Sequence, residues 1–209
     1  MRGARLKAQG ECMRVLVVDD ELSVREFFEI LLRKEGLEVV SAHDGQQALQ
    51  LIKEEEFDLV ITDLQMAGGD GMTLLRETKK LMPEVPVIMV TAFATTDSAV
   101  EAMKNGAFDY MSKPFKIEEI KLTIHKALET KKLAQENRVL KNELQDKYSF
   151  SNLLGESPAM QRIYDLIRKT AVTRTNVLIN GESGTGKELV ARAIHFNSDR
   201  KDKAFITVN

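Results

Sequence analysis

Short apolar runs alternate with amphipathic stretches through the first half of the chain. The runs VLVV, DLVIT and VPVIMVT, which begin at Val15, Asp58 and Val85, contain many β-branched residues and no polar alternation. Such runs are typical of strands that are buried on both faces of a parallel sheet. Because apolar residues between the runs recur at helical spacing, the pattern predicts about five strand–helix units in a doubly wound α/β sheet.

Capping signals predict where several of these helices begin and end. Ser23 and Glu26 have the spacing of a capping box, while Asp44 and Asp70 each precede an apolar periodic stretch as N-cap residues. Glycine or proline should end three of the helices, at Gly36, at Pro83 and at the Asn105–Gly106 pair.

One long helix is predicted between about Lys116 and Lys147, where the chain has neither glycine nor proline and mostly good helix formers. A 4-3-4 spacing within it suits a short coiled-coil seam with one polar position, formed by Leu133, Asn137, Leu140 and Leu144. Such a seam would join two copies of the chain. The alternative is a solvated helix that packs its apolar stripe on its own domain.

The composition changes in the stretch YSFSNLLGESPAM, and a second unit is predicted to begin near Ser151. Ser157 is an expected N-cap, because Pro158 follows it at the first helical position. The apolar face of that helix should comprise Met160, Ile163, Leu166 and Ile167. Farther along, NVLIN and AFITVN are predicted strands, and ELVARAIHF, which follows a glycine-rich loop, is a predicted helix.

Composition narrows the class of protein. With 209 residues, 43% hydrophobic and 30% charged, the chain should form one or two ordinary globular domains. A formal net charge of -2 indicates no general attraction to nucleic acid or anionic membranes. The single cysteine, Cys12, excludes an internal disulfide framework and fits a reducing compartment. No apolar run approaches the roughly 18 residues of a membrane span, so we expect a cytoplasmic protein without membrane contact.

Charged and hydroxyl side chains stand where the predicted strands end. Asp19 and Asp20 follow VLVV, Asp63 follows LVIT, Thr91 ends VIMVT, and Lys113 follows FDYMS. Ligands of a parallel sheet gather at the carboxyl ends of its strands, so these residues should lie close together. Two unit charges about 4 Å apart repel by roughly 4 kcal/mol at an effective dielectric of about 20. Mg²⁺ would offset that repulsion, whereas helix caps and solvated turns would explain any one aspartate alone.

The stretch from about Met13 to Lys121 resembles the receiver domain of bacterial two-component response regulators. The motifs that carry the resemblance are VVDDE, ITDLQM, VTAF and DYMSKPF. It implies a flavodoxin-like (βα)5 fold in which Asp63 accepts a phosphoryl group from a sensor histidine kinase. One position departs from the family pattern, because Ala67 stands where a proline usually follows the methionine.

The same resemblance implies a metal site built on the acidic residues. Asp20, Asp63 and the backbone carbonyl of Gln65 would hold Mg²⁺, and Asp19 would help to hold it directly or through water. The metal would offset the charge on the transferring phosphoryl group.

Three further residues would sense the phosphoryl group, according to this resemblance. Lys113 would contact a phosphoryl oxygen, and Thr91 would donate its hydroxyl once phosphate is in place. Tyr110, the switch aromatic of the family, would then follow Thr91 inward and change the face formed by the fourth helix, fifth strand and fifth helix.

A glycine-rich loop, GESGTGKE, fits the phosphate-binding pattern GxxxxGK between a predicted strand and a predicted helix. Glu188 replaces the serine or threonine that usually gives a hydroxyl to Mg²⁺. With the preceding LLGESPAM, the loop resembles the AAA+ domain of NtrC-type activators of sigma-54 RNA polymerase, which carry this glutamate themselves. The resemblance covers Leu153–Asn209 and implies that ATP phosphates bind Gly181, Glu182, Ser183, Gly184, Thr185, Gly186, Lys187 and Glu188.

These resemblances divide the chain into a disordered leader (1–12), a receiver domain (13–121), a helical or coiled-coil linker (122–150) and an N-terminal AAA+ fragment (151–209). Met13 is a second candidate for the translation start. We expect homodimers through the receiver and linker helix. The family's Walker B, sensor and arginine-finger residues do not follow Lys187, so the chain looks like the N-terminal part of a larger protein.

The leading hypothesis is a phosphorylation-controlled transcription regulator of the NtrC type. ATP is the cofactor expected for the full-length family, and sigma-54 RNA polymerase and DNA would be contacted only through other segments. A working nucleoside triphosphatase is a second class, against which the absent Walker B residue argues. The third is a receiver with a dimerising helix and no output of its own, which a failure to phosphorylate would favour.

Overall fold

The computed structural model describes residues 12–66, 69–92, 94–147 and 157–208. Within it the chain forms two compact units, one ending at Ala134 and the other beginning at Gln135. The predicted leader before Cys12, the loop residue Ala67 and the predicted start of the second unit near Ser151 lie outside the described residues, as does the side chain of Leu144.

The first unit is built on a five-stranded parallel sheet in the order β2-β1-β3-β6-β7. That order, with helices between successive strands, is the flavodoxin-like arrangement, as predicted. The strands of this sheet are β1 (Arg14–Val18), β2 (Glu38–Ala42), β3 (Leu59–Thr62), β6 (Val87–Thr91) and β7 (Asp109–Ser112). A separate antiparallel hairpin is formed by β4 (Gln65–Met66) and β5 (Gly69–Asp70).

Alternate residues of each central strand face two separate cores. Leu16 and Val18 of β1 belong to one core, whereas Val15 and Val17 belong to the other. Because both faces are covered by helices, the strands read as continuous apolar runs. The helices of this unit are α1 (Leu22–Lys34), α2 (Gly45–Glu54), α3 (Gly71–Leu81), α4 (Thr96–Lys104) and the first part of α5 (Ile117–Lys147).

Most of the predicted helix boundaries are confirmed. The Asp44 side chain accepts a hydrogen bond from the Gln47 amide at the start of α2, and Asp70 accepts one from the Met72 amide at the start of α3. Helices α1, α3 and α4 end at the predicted stops, where Gly36 and Gly106 have positive φ angles of 78° and 90°. Glycine adopts that left-handed conformation without a steric penalty.

The predicted capping box at Ser23 and Glu26 is wrong. Helix α1 begins at Leu22, and its N-cap is Glu21, which makes no side-chain capping bond. The Glu21 backbone carbonyl accepts from the Val24 and Arg25 amides. The start of α1 is thus set by the turn that follows β1 and not by a side-chain cap at Ser23.

The first part of helix α5 packs on the sheet. Ile120, Ile124 and Ala127 are buried against α1 and the strands. Leu133 and Leu140 are 57% and 59% exposed, so they do not pack on the chain's own core as the alternative interpretation required. No helix in the described parts of the chain is both long and apolar enough to cross a membrane.

The second unit contains α6 (Pro158–Ala171) and α7 (Lys187–Phe196), with Ser157 as the N-cap of α6 as predicted. Tyr164, Ile167 and Ala193 form a small core between these helices. Leu166 is 62% exposed, so the prediction that it belongs to the buried apolar face of α6 is wrong.

The two strands predicted in the second unit, NVLIN and AFITVN, are also wrong for their described residues. The structure describes 176–180 and 204–208 without strand pairing. A strand needs a hydrogen-bonded neighbour, and neither stretch has one among the described residues of this unit. Leu178 and Val208 are accordingly 85% and 90% exposed.

Candidate functional site

The carboxyl ends of β1, β3 and β7 bring Asp19, Asp63 and Lys113 together. Val18 pairs with Thr62 across the two central strands, and the Asp63 amide donates to the Val18 carbonyl over 2.9 Å. This register sets the two aspartates side by side, as the sequence predicted from their strand-end positions.

One lysine serves both carboxylates. The Lys113 Nζ atom lies 2.8 Å from Asp19 Oδ2 and 2.8 Å from Asp63 Oδ2, and 3.7 Å from Glu21 Oε1. Asp19 and Asp63 are only 2% and 6% exposed. Their shared ammonium therefore interacts in a poorly solvated site, where charge–charge interactions are strong.

The second oxygen of each aspartate is held by a backbone amide. The Glu21 amide donates to Asp19 Oδ1 over 2.9 Å, and the Gln65 amide donates to Asp63 Oδ1 over 3.1 Å. The orientation of each carboxylate is therefore fixed through both of its oxygens.

The first residue of α3, Gly71, packs closely against the backbone of Asp63. A Cβ atom added to Gly71 would lie 2.0 Å from the backbone oxygen of Asp63, so a side chain at this position would displace the Asp63–Leu64 backbone. The sequence did not single out Gly71, because no turn or positive φ angle requires glycine there. Only the contact with the Asp63 backbone does.

Burial and neighbouring charges shift the pKa values of Asp19 and Lys113. Burial raises the pKa of Asp19, and repulsion from Asp63 adds to this effect, while the hydrogen bond from Lys113 opposes it. Burial disfavours the charge of Lys113, but its hydrogen bonds to Asp19 and Asp63 outweigh burial and raise the pKa of the amine. Two buried carboxylates facing one ammonium leave an excess of negative charge.

A hard divalent cation would suit that excess and the oxygen ligands that surround it. Among the described residues, no group of three or more His, Cys, Asp or Glu side chains is arranged as a metal centre. Asp19 and Asp63 both pair with Lys113, and the predicted ligand Asp20 is exposed. The paired carboxylate oxygens are of the ligand type that Mg²⁺ prefers.

Thr91 and Tyr110 lie on β6 and β7, which follow β3 in the sheet. Thr91 is fully buried at the end of β6, and its carbonyl accepts from the Lys113 amide over 2.7 Å. The Tyr110 hydroxyl lies 2.8 Å from Ser98 Oγ. Ser98 also closes the capping box of α4 with Thr95, so Tyr110 is linked to the first turn of α4.

The predicted phosphate-binding residues of the second unit lie together in one loop and the first turn of α7. Gly184 and Gly186 have φ angles of 81° and 86°, which glycine tolerates. Lys187 Nζ donates to the carbonyls of Gly181 and Glu182 over 2.8 and 2.6 Å. The loop thus folds around its own lysine. Ser183 lies in the same turn.

Glu188, which stands at the usual hydroxyl position, is paired within α7. Arg192 donates to Glu188 Oε1 from Nε and Nη2 over 2.9 and 2.7 Å. The Thr185 hydroxyl donates to the Glu182 carbonyl over 2.8 Å, which closes the turn before the helix.

The residues of the first unit match a known protein family. The response regulator receiver domain family matches residues 15–125. The chain belongs to the response regulator family. The sigma-54 interaction domain family matches residues 153–209. A receiver followed by a sigma-54 interaction domain is the order of an NtrC-type response regulator, and the predicted identification is confirmed.

Relatives and solved structures agree with this order. The chain is 42% identical to transcriptional regulatory protein ZraR of Escherichia coli strain K12, across 93% of this chain and 43% of ZraR. It is similar to the crystal structure of NtrX from Brucella abortus in complex with ATP, with a TM-score of 0.60 and 40% identity, across 95% of this chain and 43% of NtrX. The response regulator thus spans less than half the length of these two proteins.

A third similarity concerns the receiver alone. The beryllofluoride-activated NtrC4 receiver domain, solved in solution as a dimer, matches with a TM-score of 0.55 and 37% identity. The match covers 56% of this chain and 98% of that domain. The site around Asp63 therefore lies in a complete receiver fold.

Proposed function

We propose that the chain is the regulatory part of a sigma-54-dependent transcription regulator, in which Asp63 accepts a phosphoryl group from a sensor histidine kinase. The observation that carries the proposal is the fixed orientation of the buried Asp63 carboxylate. Its Oδ2 meets Lys113 and its Oδ1 meets the Gln65 amide, beside the second carboxylate of Asp19.

In the proposed reaction an Asp63 carboxylate oxygen attacks phosphorus in line. An oxygen–phosphorus bond forms, the bond from phosphorus to the donor nitrogen breaks, and its electron pair leaves with the histidine imidazole of the kinase. Lys113, already within 2.8 Å of the Asp63 carboxylate, would bind an oxygen of the transferred group. Its positive charge would stabilise negative charge on the phosphoryl oxygens.

Mg²⁺ would be held by Asp19, Asp20, Asp63 and the backbone carbonyl of Gln65. When bound, the metal would offset the charge of the transferring phosphoryl group. The excess of buried carboxylate over ammonium supports this assignment, because without a cation the pair Asp19–Asp63 shares a single lysine.

Phosphorylation would be read out through Thr91 and Tyr110. A phosphoryl group on Asp63 adds charge and acceptor oxygens, and the Thr91 hydroxyl would donate to one of them. Tyr110 would then move inward and leave Ser98, which it now meets at 2.8 Å. Because Ser98 belongs to the capping box of α4, this movement would alter the start of that helix.

The exposed part of α5 would join two copies of the chain. Leu133 and Leu140 are exposed on this helix with the spacing of a coiled-coil seam, and Asn137 is exposed between them. The dimeric state of the related NtrC4 receiver supports a dimer here as well. Asn137 on the seam would favour a two-stranded register.

The second unit would contribute the start of an ATP-binding module. The loop 181–186 and the N-terminus of α7 supply backbone amides of the kind that cradle phosphates. The ATP seen in the related NtrX supports a nucleotide at this loop. In the full regulator, nucleotide-driven contact with sigma-54 RNA polymerase and DNA would follow from segments outside this chain.

The test is the intact mass of the chain after incubation with Mg²⁺ and a small phosphoryl donor. One phosphoryl adduct should form in the wild type and not in Asp63→Asn or without Mg²⁺. Asp70→Asn is the matched control, because asparagine also caps helices well and α3 should stay intact. No adduct on the wild type would reject the proposal and leave a dimerising interaction module as the better description.

A further inference from the structure

Arg25 lies near the amino end of α1, which directly follows the acidic residues Asp19, Asp20 and Glu21. It is the fourth residue of α1, and α1 has no acidic residue in its first turn. The amino end of a helix carries a partial positive charge, so an arginine there is destabilised by the helix dipole. The neighbouring acidic residues act in the opposite direction, so net charge alone does not define the role of Arg25, and its contacts must be considered.

Arg25 contacts the backbone of the acidic pair. Arg25 Nη1 donates to the Asp19 carbonyl over 2.6 Å and to the Asp20 carbonyl over 3.0 Å. A single guanidinium nitrogen thus joins two consecutive peptide groups. Hydrogen bonds from a charged donor are stronger than those between neutral groups, so these two bonds restrain the turn that carries both aspartates.

The same turn also positions the Asp19 side chain. The Glu21 amide, which belongs to the peptide bond that begins with the Asp20 carbonyl, donates to Asp19 Oδ1 over 2.9 Å. Arg25 therefore binds one side of this peptide group and Asp19 the other. A rotation of that peptide would displace the Asp19 carboxylate and change the direction of Asp20.

We propose that Arg25 is a positioning residue, which orients the Asp19–Asp20 turn for cation binding without touching the cation or the phosphoryl group. This inference rests on the proposed function, because it assumes that the acidic pair binds Mg²⁺. It assigns to Arg25 a role that its positive charge would oppose, since a nearby cation repels a second one.

The sign of the effect separates positioning from simple electrostatics. If Arg25 acted only through its charge, Arg25→Gln would tighten Mg²⁺ binding. If Arg25 positions the turn, Arg25→Gln should weaken it by about 10-fold, the lower end of the range for outer-shell partners of metal ligands. Arg25→Lys keeps the charge and a donor on a shorter side chain, so it should restore part of the affinity.

Arg33→Gln is the matched control. It removes the same charge from the same helix, but Arg33 lies in the last turn of α1 and pairs with Glu29. Mg²⁺ would be titrated into the nitrogen-15-labelled full chain, and the amide shifts of Glu21 and Gln65 would report binding. Arg33→Gln should leave the affinity within about twofold of wild type, since surface pairs contribute little.

A second readout needs no metal. In buffer containing a chelator, the Glu21 amide should exchange with solvent faster in Arg25→Gln than in wild type or Arg33→Gln, because its acceptor would be less firmly placed. Equal exchange rates together with unchanged or tighter Mg²⁺ binding would overturn the role of Arg25. If the wild type itself gave no Mg²⁺-dependent shifts, the proposed metal-dependent function would fail, and the exchange rates alone would decide whether Arg25 restrains the turn.

Discussion

At each end of β3 a buried aspartate pairs with a lysine, but the two pairs have different surroundings. Asp58 precedes the strand and Asp63 follows it; they are 7% and 6% exposed. Each lies 2.8 Å from a lysine, Lys131 for Asp58 and Lys113 for Asp63. Burial and pairing with a lysine alone therefore do not distinguish the proposed phosphoacceptor Asp63 from Asp58.

The number of carboxylates per cation makes the difference. At the amino end, Asp58 Oδ1 accepts from Lys131 and Oδ2 accepts from the Arg14 amide, while Lys131 also donates to the Phe57 carbonyl. Those groups satisfy one another. At the carboxyl end, Lys113 divides its charge between Asp63 and Asp19. The first arrangement anchors α5 to the sheet, and in the second two buried carboxylates share one ammonium.

The largest expected effect concerns stability at the amino end. Asp58→Ala removes the carboxylate that holds Lys131 and should cost about 3–5 kcal/mol, as breaking a buried ion pair does. Asp63→Ala should cost less, because Lys113 keeps Asp19 as its partner. Hydrogen exchange of the slowest amides of β1 and β3 measures both free energies of unfolding. Equal losses would remove the distinction between the two ends.

The next effect concerns the rate of phosphoryl adduct formation. Here the lysine at the carboxyl end of β3 should matter more than the lysine at the amino end. Lys113→Ala should slow formation of the phosphoryl adduct about 100-fold, a typical loss for one preorganised charge-stabilising donor. Lys131→Ala should leave the rate nearly unchanged although it weakens the fold. Rates come from time courses of intact mass at saturating Mg²⁺. A comparable slowing by Lys131→Ala would show that the anchor of α5 also controls the reaction.

A smaller effect depends on pH. Burial raises the pKa of Asp19 above the ordinary 3.8, so the folded state binds this proton more tightly than the unfolded state. Asp19 therefore costs stability at neutral pH, and that cost disappears as pH falls through the raised pKa towards 3.8. In chelator-containing buffer, Asp19→Asn should be more stable than wild type near neutrality, with a difference that shrinks on acidification. A difference that grows on acidification would contradict the charge imbalance.

The smallest expected effect concerns the contact between Tyr110 of β7 and Ser98 of α4. Ser98→Ala removes the bond to the Tyr110 hydroxyl and part of the α4 capping box. We expect a loss of about 1 kcal/mol, the typical value for one hydrogen bond, with the rate of adduct formation unchanged. The ring resonances of Tyr110 should shift towards those of the phosphorylated wild type. A slower rate of adduct formation in Ser98→Ala would contradict this prediction, because it would show that Ser98 contributes to the phosphoryl transfer step.

Much of the fold could be predicted because its signals are local. Continuous β-branched runs indicate strands buried on both faces, and the capping residues Asp44 and Asp70 act within a few residues of their own position. Predictions from the sequence were wrong where residues outside an element decide its bounds or its pairing. Helix α1 begins at Leu22 because of the turn that follows β1, and the strands expected in the second unit lack paired neighbours among the described residues.

The sequence by itself determined that acids, a hydroxyl and a lysine stand at the ends of parallel strands. Chain direction then brings Asp19, Asp63 and Lys113 to one edge, since parallel strands end on the same side. Only the tertiary structure decided which aspartate shares its lysine, why Gly71 must lack a side chain, and what Arg25 contacts. Those features depend on distances between residues far apart in the chain or on opposite sides of a turn, which strand and helix periodicity do not encode.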